Sequence, residues 1–345
     1  MLVSWPAGKD GPAWPGWDLV TLPKRFSVTG EISLDRLRNP GQPAWQGLGG
    51  CATYLSLALG RLGVQTLFAT VAGDDLPPGS LTPLQEAGVD LRLRQAAGPT
   101  ARLDITYNQA GDIVRLRFET GVESQIDADW LPEVFWQADW IVVGTAPYGY
   151  QQQVIARANQ CGRLVTLSTQ REFDGAWDML GTLLPHLDVL FINSNEVVNL
   201  SGDSLQAGLG AMRRLNPHLT CLVTCGERGA ILLHGDKLWT VAACPGPVVQ
   251  PTGAGDAFAA AWLASWAQGS DVESALRMAS VAASLALRGP AHTALASAEE
   301  ISIRLRQCRH MFPLETWPAE SREAQAALST EDAWCHQAVD RKVVR

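Results

Sequence analysis

The sequence is poor in charged residues and has no excess of basic ones. Asp, Glu, Lys and Arg together make up 18% of the 345 residues, and the formal net charge is −8. Proteins bind nucleic-acid backbones mainly through Lys and Arg side chains that neutralise the phosphates. The composition therefore argues against a nucleic-acid partner, whereas a hydrophobic content of 46% is ample for a buried core.

Long hydrophobic runs are missing as well. No stretch of about 18 apolar residues occurs, which argues against a membrane-spanning helix. Residues 1–17 contain Pro, Gly and Trp where a signal peptide would need an uninterrupted apolar core. We therefore expect a cytoplasmic protein with no membrane partner.

The sequence also lacks the spacing of a disulfide framework or a zinc site. Its seven cysteines are odd in number and widely spaced, so we expect no disulfides. Cys221 and Cys225 are close together but have no matching second pair, and the six histidines form no short-spaced pair. A zinc site is therefore not expected.

From Asp139 onward the sequence alternates short apolar runs with stretches long enough for helices. The runs are residues 140–143, 164–167, 189–192 and 221–223. Such runs predict an α/β fold with a mainly parallel sheet covered by helices on both faces. Further strands are predicted at 25–34, 65–71, 230–233 and 238–241, and helices at 52–62, 255–268 and 272–288. After residue 296 the chain reads as helical and ends in a weakly tethered tail.

Residues 101–118 have the pattern of an amphipathic β-hairpin. Apolar and polar residues alternate on both sides of a Gly111-Asp112 turn. The polar face carries Arg102, Arg115 and Arg117. The hairpin is either a solvated edge or a lid whose polar face closes over a substrate.

Gly253-Ala254-Gly255-Asp256 carries the strongest chemical signal. Glycines let the backbone turn tightly and point successive N–H groups at one spot, and the start of a helix adds partial positive charge there. The segment therefore predicts an anion site. A carboxylate in the first helical turn could accept the proton of an attacking hydroxyl during phosphoryl transfer. The alternative is that Asp256 merely complements the helix dipole.

Two further segments follow predicted strands. The segment from Asn193 to Glu196 ends the 189–192 run, at the edge where parallel sheets present ligand-binding groups. Glu196 could hold magnesium through water, or it could be the first-turn acid of a helix. The segment 224–229 has glycines at a spacing that suits the edge of a nucleotide site, which is a weak signal by itself.

The order of these motifs resembles the ribokinase or PfkB family over residues 25–292. The family's C-terminal signature, an Asp-Thr-Thr-Gly-Ala-Gly-Asp-x-Phe run, is matched by residues 250–258. The resemblance implies that Asp256 is the catalytic base. It also implies an anion hole formed by Gly253, Ala254 and Gly255.

The same resemblance assigns roles to the other motifs. Asn193 and Glu196 match the family's Asn-x-x-Glu motif, which is linked to the handling of magnesium and phosphate. The nucleotide motif Thr-x-Gly-x-x-Gly is matched by Thr224, Gly226 and Gly229.

The N-terminal family signature implies a substrate site. Its Gly-Gly pair is matched by Gly49 and Gly50, and its Gly-Asp-Asp element by residues 73–75. Asp35 falls where the family places a substrate-binding Asp. Lids over the sugar are typical of these kinases, so we expect at least one hairpin arginine, with Arg102 as the first candidate, to contact the substrate or its new phosphate.

The resemblance implies a ribokinase-like enzyme that uses ATP and Mg²⁺ to phosphorylate a hydroxyl of a small sugar-like substrate. We expect an irregular arm at 1–24, a kinase domain at 25–300 with β-lid elements near 30–40 and 101–118, and a C-terminal helix and tail at 301–345. In relatives such lids can pair between subunits, so a homodimer is compatible with the resemblance.

Two residues depart from the family pattern. Tyr54 stands where sugar kinases of the family often have Asn after the Gly-Gly pair. A sugar, a cyclic polyol or a nucleoside therefore all stay open as acceptors. Gln250 stands where many members carry an Asp that helps to bind a monovalent cation, which puts activation by potassium in doubt.

Two other functions compete with the kinase. A non-catalytic relative that binds nucleotide or sugar is disfavoured by the intact Asp256. A dinucleotide-dependent dehydrogenase is disfavoured because no Gly-x-Gly-x-x-Gly follows the first strand with an acid about 20 residues later.

Overall fold

The computed structural model describes residues 25–109, 113–169, 177–308, 310 and 312–329. The predicted arm at 1–24, the predicted turn at Gly111-Asp112 and the end of the predicted tail lie outside these residues. The helices of the described chain are α1 (Cys51–Arg61), α2 (Thr82–Glu86), α3 (Tyr148–Gln160), α4 (Trp177–Leu183), α5 (Ser194–Ser201), α6 (Leu205–Leu215), α7 (Ala254–Ala267), α8 (Val272–Ala286), α9 (Ala298–Cys308) and α10 (Arg322–Ser329). None of these helices has the length and apolar character to cross a membrane.

The strands of the described chain form two sheets. They are β1 (Arg25–Thr29), β2 (Ser33–Arg38), β3 (Trp45–Gly49), β4 (Gln65–Ala72), β5 (Asp90–Gln95), β6 (Ala101–Tyr107), β7 (Ile113–Glu119), β8 (Trp140–Val143), β9 (Leu164–Ser168), β10 (Val189–Asn193), β11 (Thr220–Thr224), β12 (Ala230–His234), β13 (Lys237–Val241) and β14 (Leu314–Pro318). The large sheet has the order β14-β13-β12-β11-β10-β9-β8-β1-β4-β5, and the small sheet has the order β3-β2-β6-β7.

The large sheet is parallel from β5 to β11 and antiparallel at the other edge, from β11 to β14. Strand β8 shows why its sequence is a continuous apolar run. Trp140 and Val142 pack into one core with α1, α7 and α8, and Ile141 and Val143 pack into a second core with α3, α5 and α6. Both faces of the strand are covered, so both alternating sets of side chains are apolar. The predicted mainly parallel sheet with helices on both faces is confirmed.

The small sheet accounts for one incorrect prediction. The predicted strand at 25–34 is two strands, because the chain leaves the large sheet at Gly30 and enters the small sheet at Ser33. Gly30 has a φ of 148°, and a Cβ there would lie 2.9 Å from the carbonyl oxygen of Thr145. Strand β2 then pairs in parallel with β6 and antiparallel with β3. The predicted hairpin forms as β6 and β7.

The C-terminal prediction missed one strand. Helix α9 lies where a helix was expected, but Leu314–Pro318 then pairs with β13 as the outer strand of the large sheet. The strand is short and has no fully buried position, so its sequence carries no clear period. The fold therefore continues at least to α10, beyond the expected boundary at residue 300.

Candidate active site

The carboxyl ends of five neighbouring parallel strands form one edge of the large sheet. Strands β1, β8, β9, β10 and β11 end at Thr29, Val143, Ser168, Asn193 and Thr224. Asn193 and Thr224 are directly paired across β10 and β11. Loops at this edge of a parallel sheet are the usual place for a ligand site. The predicted motifs at 193–196 and 224–229 therefore lie side by side.

The start of α7 supplies backbone donors beside this edge. Gly253 has φ 89° and ψ −5°, a left-handed conformation that favours glycine, and no side chain caps the helix. Ala254 donates its N–H to the carbonyl oxygen of Pro251 at 3.3 Å. In the part of the chain that the structure describes, the N–H groups of Gly253, Gly255 and Asp256 donate to no backbone carbonyl group. These donors and the helix dipole can bind an anion. Ala254 is a weaker member of the predicted anion hole than its neighbours.

Asp256 lies in the first turn of α7 with its side chain buried. Burial raises the pKa of its carboxyl group from 3.8 to about 7. A hydrogen bond from the Cys51 thiol lowers that pKa, and the negative charge of Asp35 raises it. The Ser168 hydroxyl lies 3.5 Å from the Cys51 sulfur and can donate to it, which ties Cys51 and the Asp256 carboxylate to the end of β9. A carboxyl group with a pKa near neutrality suits a general base.

Asp35 is held on the inner face of the small sheet by two hydroxyl donors. The Ser33 hydroxyl donates to Oδ1 at 2.6 Å, and the Tyr54 hydroxyl donates to Oδ2 at 3.0 Å. Burial raises the Asp35 pKa to about 6, against the opposing effect of these two bonds. A Cβ at Gly49 would lie 1.9 Å from the Asp35 Cγ, so only glycine allows β3 to pass the carboxylate. Gly50, with φ 98°, starts the turn into α1.

Tyr54 connects the Asp35 carboxylate with the start of α7. Its ring lies beside Gly253, where a Cβ would be 3.5 Å from the Tyr54 Cδ2 atom. His292 packs on the same ring with a centroid separation of 6.2 Å, and Trp45 packs on His292 at 5.5 Å. Tyr54, which stands where the family often has an Asn, therefore places an aromatic ring between Asp35 and the anion hole.

Asn193 and Glu196 form a capping box at the start of α5. The Asn193 side chain accepts from the Glu196 N–H at 2.9 Å, and the Glu196 carboxylate accepts from the Asn193 N–H at 3.1 Å. Glu196 also accepts from the Thr169 hydroxyl at 2.8 Å, which links it to the end of β9. Within the described chain, no three His, Cys, Asp or Glu side chains are grouped as metal ligands. Glu196 thus has the helix-capping role that the sequence left open.

The segment after β11 turns tightly at two glycines. Gly226 and Gly229 have φ values of 61° and 105°, and Cys225 donates its N–H to the Gly229 carbonyl oxygen at 2.8 Å. A Cβ at Gly229 would lie 1.9 Å from the Val241 carbonyl oxygen. Thr224, Gly226 and Gly229 therefore form a compact turn at the carboxyl edge.

A cleft of about 250 Å³ lies beside the segment that leads to the anion hole. It is lined by Gly246, Pro247, Ser284, Leu285, Arg288, Arg304 and Gln307. Val249 and Gln250 both donate their N–H groups to the Leu287 carbonyl oxygen, so the cleft and the start of α7 share one stretch of backbone. Nothing in the sequence pattern marked this cleft, because its lining comes from segments far apart in the chain.

The hairpin arginines lie on the face of the small sheet that points away from Asp35. In the register of β2 with β6, Asp35 is opposite Leu103, and Arg102 is one position away on the other face. Arg102 is paired with Asp75, and Arg115 and Arg117 are both exposed. The structure thus brings Asp35, Gly49, Gly50, Tyr54 and Asp256 together and does not bring Arg102 to them. The apolar face of the hairpin, not the polar one, faces the site.

Comparison with known proteins identifies the family. Residues 29–297 match the model of the pfkB family carbohydrate kinases, which is most of the chain, so the protein belongs to this family. It is 28% identical to fructoselysine 6-kinase of Escherichia coli (strain K12) over 236 residues, which covers 66% of this chain and 85% of that protein. It is 24% identical to cytidine kinase of Thermococcus kodakarensis over 258 residues, covering 73% and 91%.

Solved structures have the same fold. The ribokinase of Cryptococcus neoformans var. grubii serotype A in complex with ADP matches with a TM-score of 0.72 and 19% identity, covering 82% of this chain and all of that one. The Burkholderia thailandensis nucleoside kinase in complex with inosine matches with a TM-score of 0.72 and 21% identity, covering 84% and 100%. These structures show that the protein has the ribokinase fold, and its membership of the pfkB family makes it an ATP-dependent phosphotransferase.

Proposed function

We propose that the protein transfers the γ-phosphoryl group of ATP to a hydroxyl of a small sugar or cyclic polyol, with Asp256 as the general base. The observation that carries this proposal is the placement of one buried carboxylate in the same helical turn as three backbone N–H donors. The carboxylate can take the proton of the attacking hydroxyl. The donors and the helix dipole can stabilise the charge that develops on the transferred group.

The order of groups along the sheet edge supports an acceptor site on one side of Asp256 and a nucleotide site on the other. Asp35 and Tyr54 lie on the small-sheet side of Asp256 and would bind the acceptor through its hydroxyl groups. Thr224, Gly226 and Gly229 follow β11 on the other side and would border the nucleotide. The cleft that Pro247, Ser284 and Arg288 help to line would take its base. Asp256 then stands between the acceptor and the phosphates.

Mg²⁺ would supply charge neutralisation of the phosphates. The residues present fit an indirect role, because Glu196 is engaged by Thr169 and Asn193 and no direct ligand cluster exists in the described chain. The ion would therefore be held mainly by phosphate oxygens and water, with Asn193 and Glu196 ordering that water. Mg²⁺ favours this arrangement, because it dehydrates reluctantly and keeps several of its waters.

The acceptor is tested by a screen of matched hydroxyl compounds. ADP release is measured with ATP, Mg²⁺ and sugars, cyclic polyols, fructosamine-type sugar amines and nucleosides. We expect one sugar-like class to raise ADP release well above the rate without acceptor. Preference for a nucleoside would favour the alternative that the cytidine kinase and nucleoside kinase relatives suggest. Nucleotide binding with no acceptor-dependent ADP release would contradict the proposal and favour a non-catalytic binding protein.

The pH dependence follows from the raised pKa of Asp256. The base must be ionised, so kcat/KM should rise with pH through about 7 and then level off, far above the ordinary Asp value of 3.8. The hydrogen bond from Cys51 favours the ionised form, so Cys51→Ala should move this rise to higher pH. The measurement is kcat/KM against pH for both proteins. A rise centred near the ordinary Asp value, or no difference between them, would contradict this role of Asp256 and Cys51.

A further inference from the structure

Gln250, three residues before the anion hole, has a fully buried side chain whose orientation is determined by its neighbours. Its Oε1 atom accepts from the backbone N–H of Thr252 at 2.8 Å and of Ala291 at 3.4 Å. Backbone N–H groups can only donate, so the oxygen must point to them. The Nε2 atom is thereby directed at the Thr252 hydroxyl oxygen, to which it donates at 2.7 Å.

The Thr252 hydroxyl carries this network into the small sheet. It lies 2.6 Å from the hydroxyl of Tyr107, at the end of β6. Tyr107 is itself buried, with 4% of its surface exposed. A continuous chain of side-chain hydrogen bonds therefore joins the small sheet to the turn that opens α7. Gly253 is the next residue along that turn.

Ala291 forms the third point of contact. It lies after α8, is fully buried and has a φ of 49°, a conformation that is unfavourable for alanine. Its N–H is one of the two backbone groups that donate to the Gln250 Oε1 atom. Gln250 thus connects the turn before α7, the segment after α8 and, through Thr252, the small sheet. One neutral side chain holds three separate segments of the chain together.

A monovalent cation does not fit this site. The family resemblance places an Asp at position 250 as part of a cation site, and a cation would need oxygen ligands there. The Gln250 oxygen already accepts two N–H groups, and the other end of the amide is an NH₂ donor. Donor hydrogens carry partial positive charge and repel a cation. The side chain also has no exposed surface through which an ion could be hydrated.

We propose that Gln250 and Tyr107 are positioning residues that hold the anion hole in place and couple it to the small sheet, and that Gln250 replaces a monovalent cation. The proposal rests on phosphoryl transfer at Asp256 as the proposed function. It has two consequences. The enzyme works equally well with any monovalent cation, and loss of the Tyr107 hydroxyl slows the chemical step without weakening nucleotide binding.

The cation is tested with wild-type protein at constant ionic strength in potassium, sodium or tetramethylammonium chloride. We expect kcat and the melting temperature to be the same in all three salts, with kcat within about twofold. A loss of more than about twofold in kcat, or a lower melting temperature, in tetramethylammonium would overturn the proposal. A protein with no kinase activity in any of the salts would count against the proposed function. The melting temperature does not depend on turnover, so its comparison between the salts still tests whether a monovalent cation binds.

Gln250→Glu provides the charged counterpart with the same shape. It buries a carboxylate without a counter-charge, which is costly unless a cation neutralises it. We expect a melting temperature below that of wild type that potassium raises and tetramethylammonium does not. A variant that is as stable as wild type, or whose melting temperature is the same in potassium and tetramethylammonium, would contradict the proposed role of the neutral amide.

Tyr107→Phe tests the coupling to the small sheet. Removing one hydrogen bond should lower kcat by roughly two- to tenfold, while the KM for ATP stays within about twofold. Thr252→Val removes the same bond from the other side, so the double variant should lose little more than Thr252→Val alone. Tyr148→Phe is the matched control, because it loses a tyrosine–threonine bond of the same 2.6 Å length between α3 and α4. An unchanged kcat in Tyr107→Phe, or additive losses, would overturn the coupling.

Discussion

Asp256→Asn is expected to lower kcat by about 10²- to 10⁴-fold, the usual contribution of a positioned general base. The amide has nearly the shape of the carboxyl group, but it cannot take the proton of the acceptor hydroxyl. The N–H donors at the start of α7 are unchanged, so the affinity for ATP should stay close to that of wild type. The measurement is kcat with the best acceptor, together with the dissociation constant for the nucleotide.

The stability of the same variant separates loss of the base from loss of the fold. Burial raises the Asp256 pKa from 3.8 to about 7, so the folded protein holds a proton that the unfolded chain releases in this range. The stability of the folded protein therefore falls as pH rises from 3.8 to about 7. Above pH 7 the buried Asp256 carboxylate is ionised and destabilises the fold. At pH 8 we expect Asp256→Asn to melt at or above the wild-type temperature while its activity is lost.

Asp188→Asn is the matched control for this substitution. Asp188 is another largely buried carboxyl with a raised pKa, but it accepts from the Val165 N–H at the amino end of β9, on the opposite edge of the sheet. The kcat of the Asp188→Asn variant should therefore equal that of wild type. If Asp256→Asn kept more than about a tenth of the wild-type kcat, Asp256 would not be the general base.

Gly49→Ala is expected to lower kcat/KM for the acceptor by about 10²-fold, because a displacement of about 1 Å at a catalytic site can cost that much. The new Cβ would lie 1.9 Å from the Asp35 Cγ and 2.0 and 2.1 Å from its two carboxylate oxygens. The carboxylate must therefore move out of its hydrogen bonds with Ser33 and Tyr54. The measurement is kcat/KM for the acceptor, with the KM for ATP determined alongside.

Gly210→Ala provides the control for this glycine. Gly210 lies inside α6, where the nearest atom to a new Cβ is the flexible Arg214 side chain at 3.4 Å. Alanine favours a helix over glycine by about 0.5–1 kcal/mol, so this variant should be slightly more stable and equally active. Normal acceptor kinetics in Gly49→Ala would show that Asp35 does not hold the acceptor.

The central sheet was predictable because its strands are buried on both faces. The runs at 140–143, 189–192 and 221–223 are apolar at every position, and each became a strand of the parallel sheet. The edge strand β14 was not predictable, because pairing with β13 rather than its own pattern makes it a strand. The break at Gly30 was missed for a similar reason, since the close approach of Thr145 is a contact between distant segments.

The candidate site also has residues that the sequence could predict and residues that it could not. Asp256 and the glycines before it could be found in the sequence because one short segment supplies both the helix start and the carboxylate. The partners of these groups could not be predicted. Cys51 contacts Asp256 and Tyr107 contacts Thr252, but each pair is far apart in the sequence and is brought together by the fold. The face on which Arg102 lies also needed the register of β2 with β6, which a single strand pattern does not contain.

Transfer of the phosphoryl group itself is the most direct test of the account. Wild-type protein is incubated with γ-labelled ATP, Mg²⁺ and the best acceptor from the screen, and the label is followed by chromatography. The account predicts that the label moves to the acceptor as a phosphate ester, with one ADP formed for each ester. Label that stays on ATP, or appears only as inorganic phosphate while the acceptor is unmodified, would contradict it.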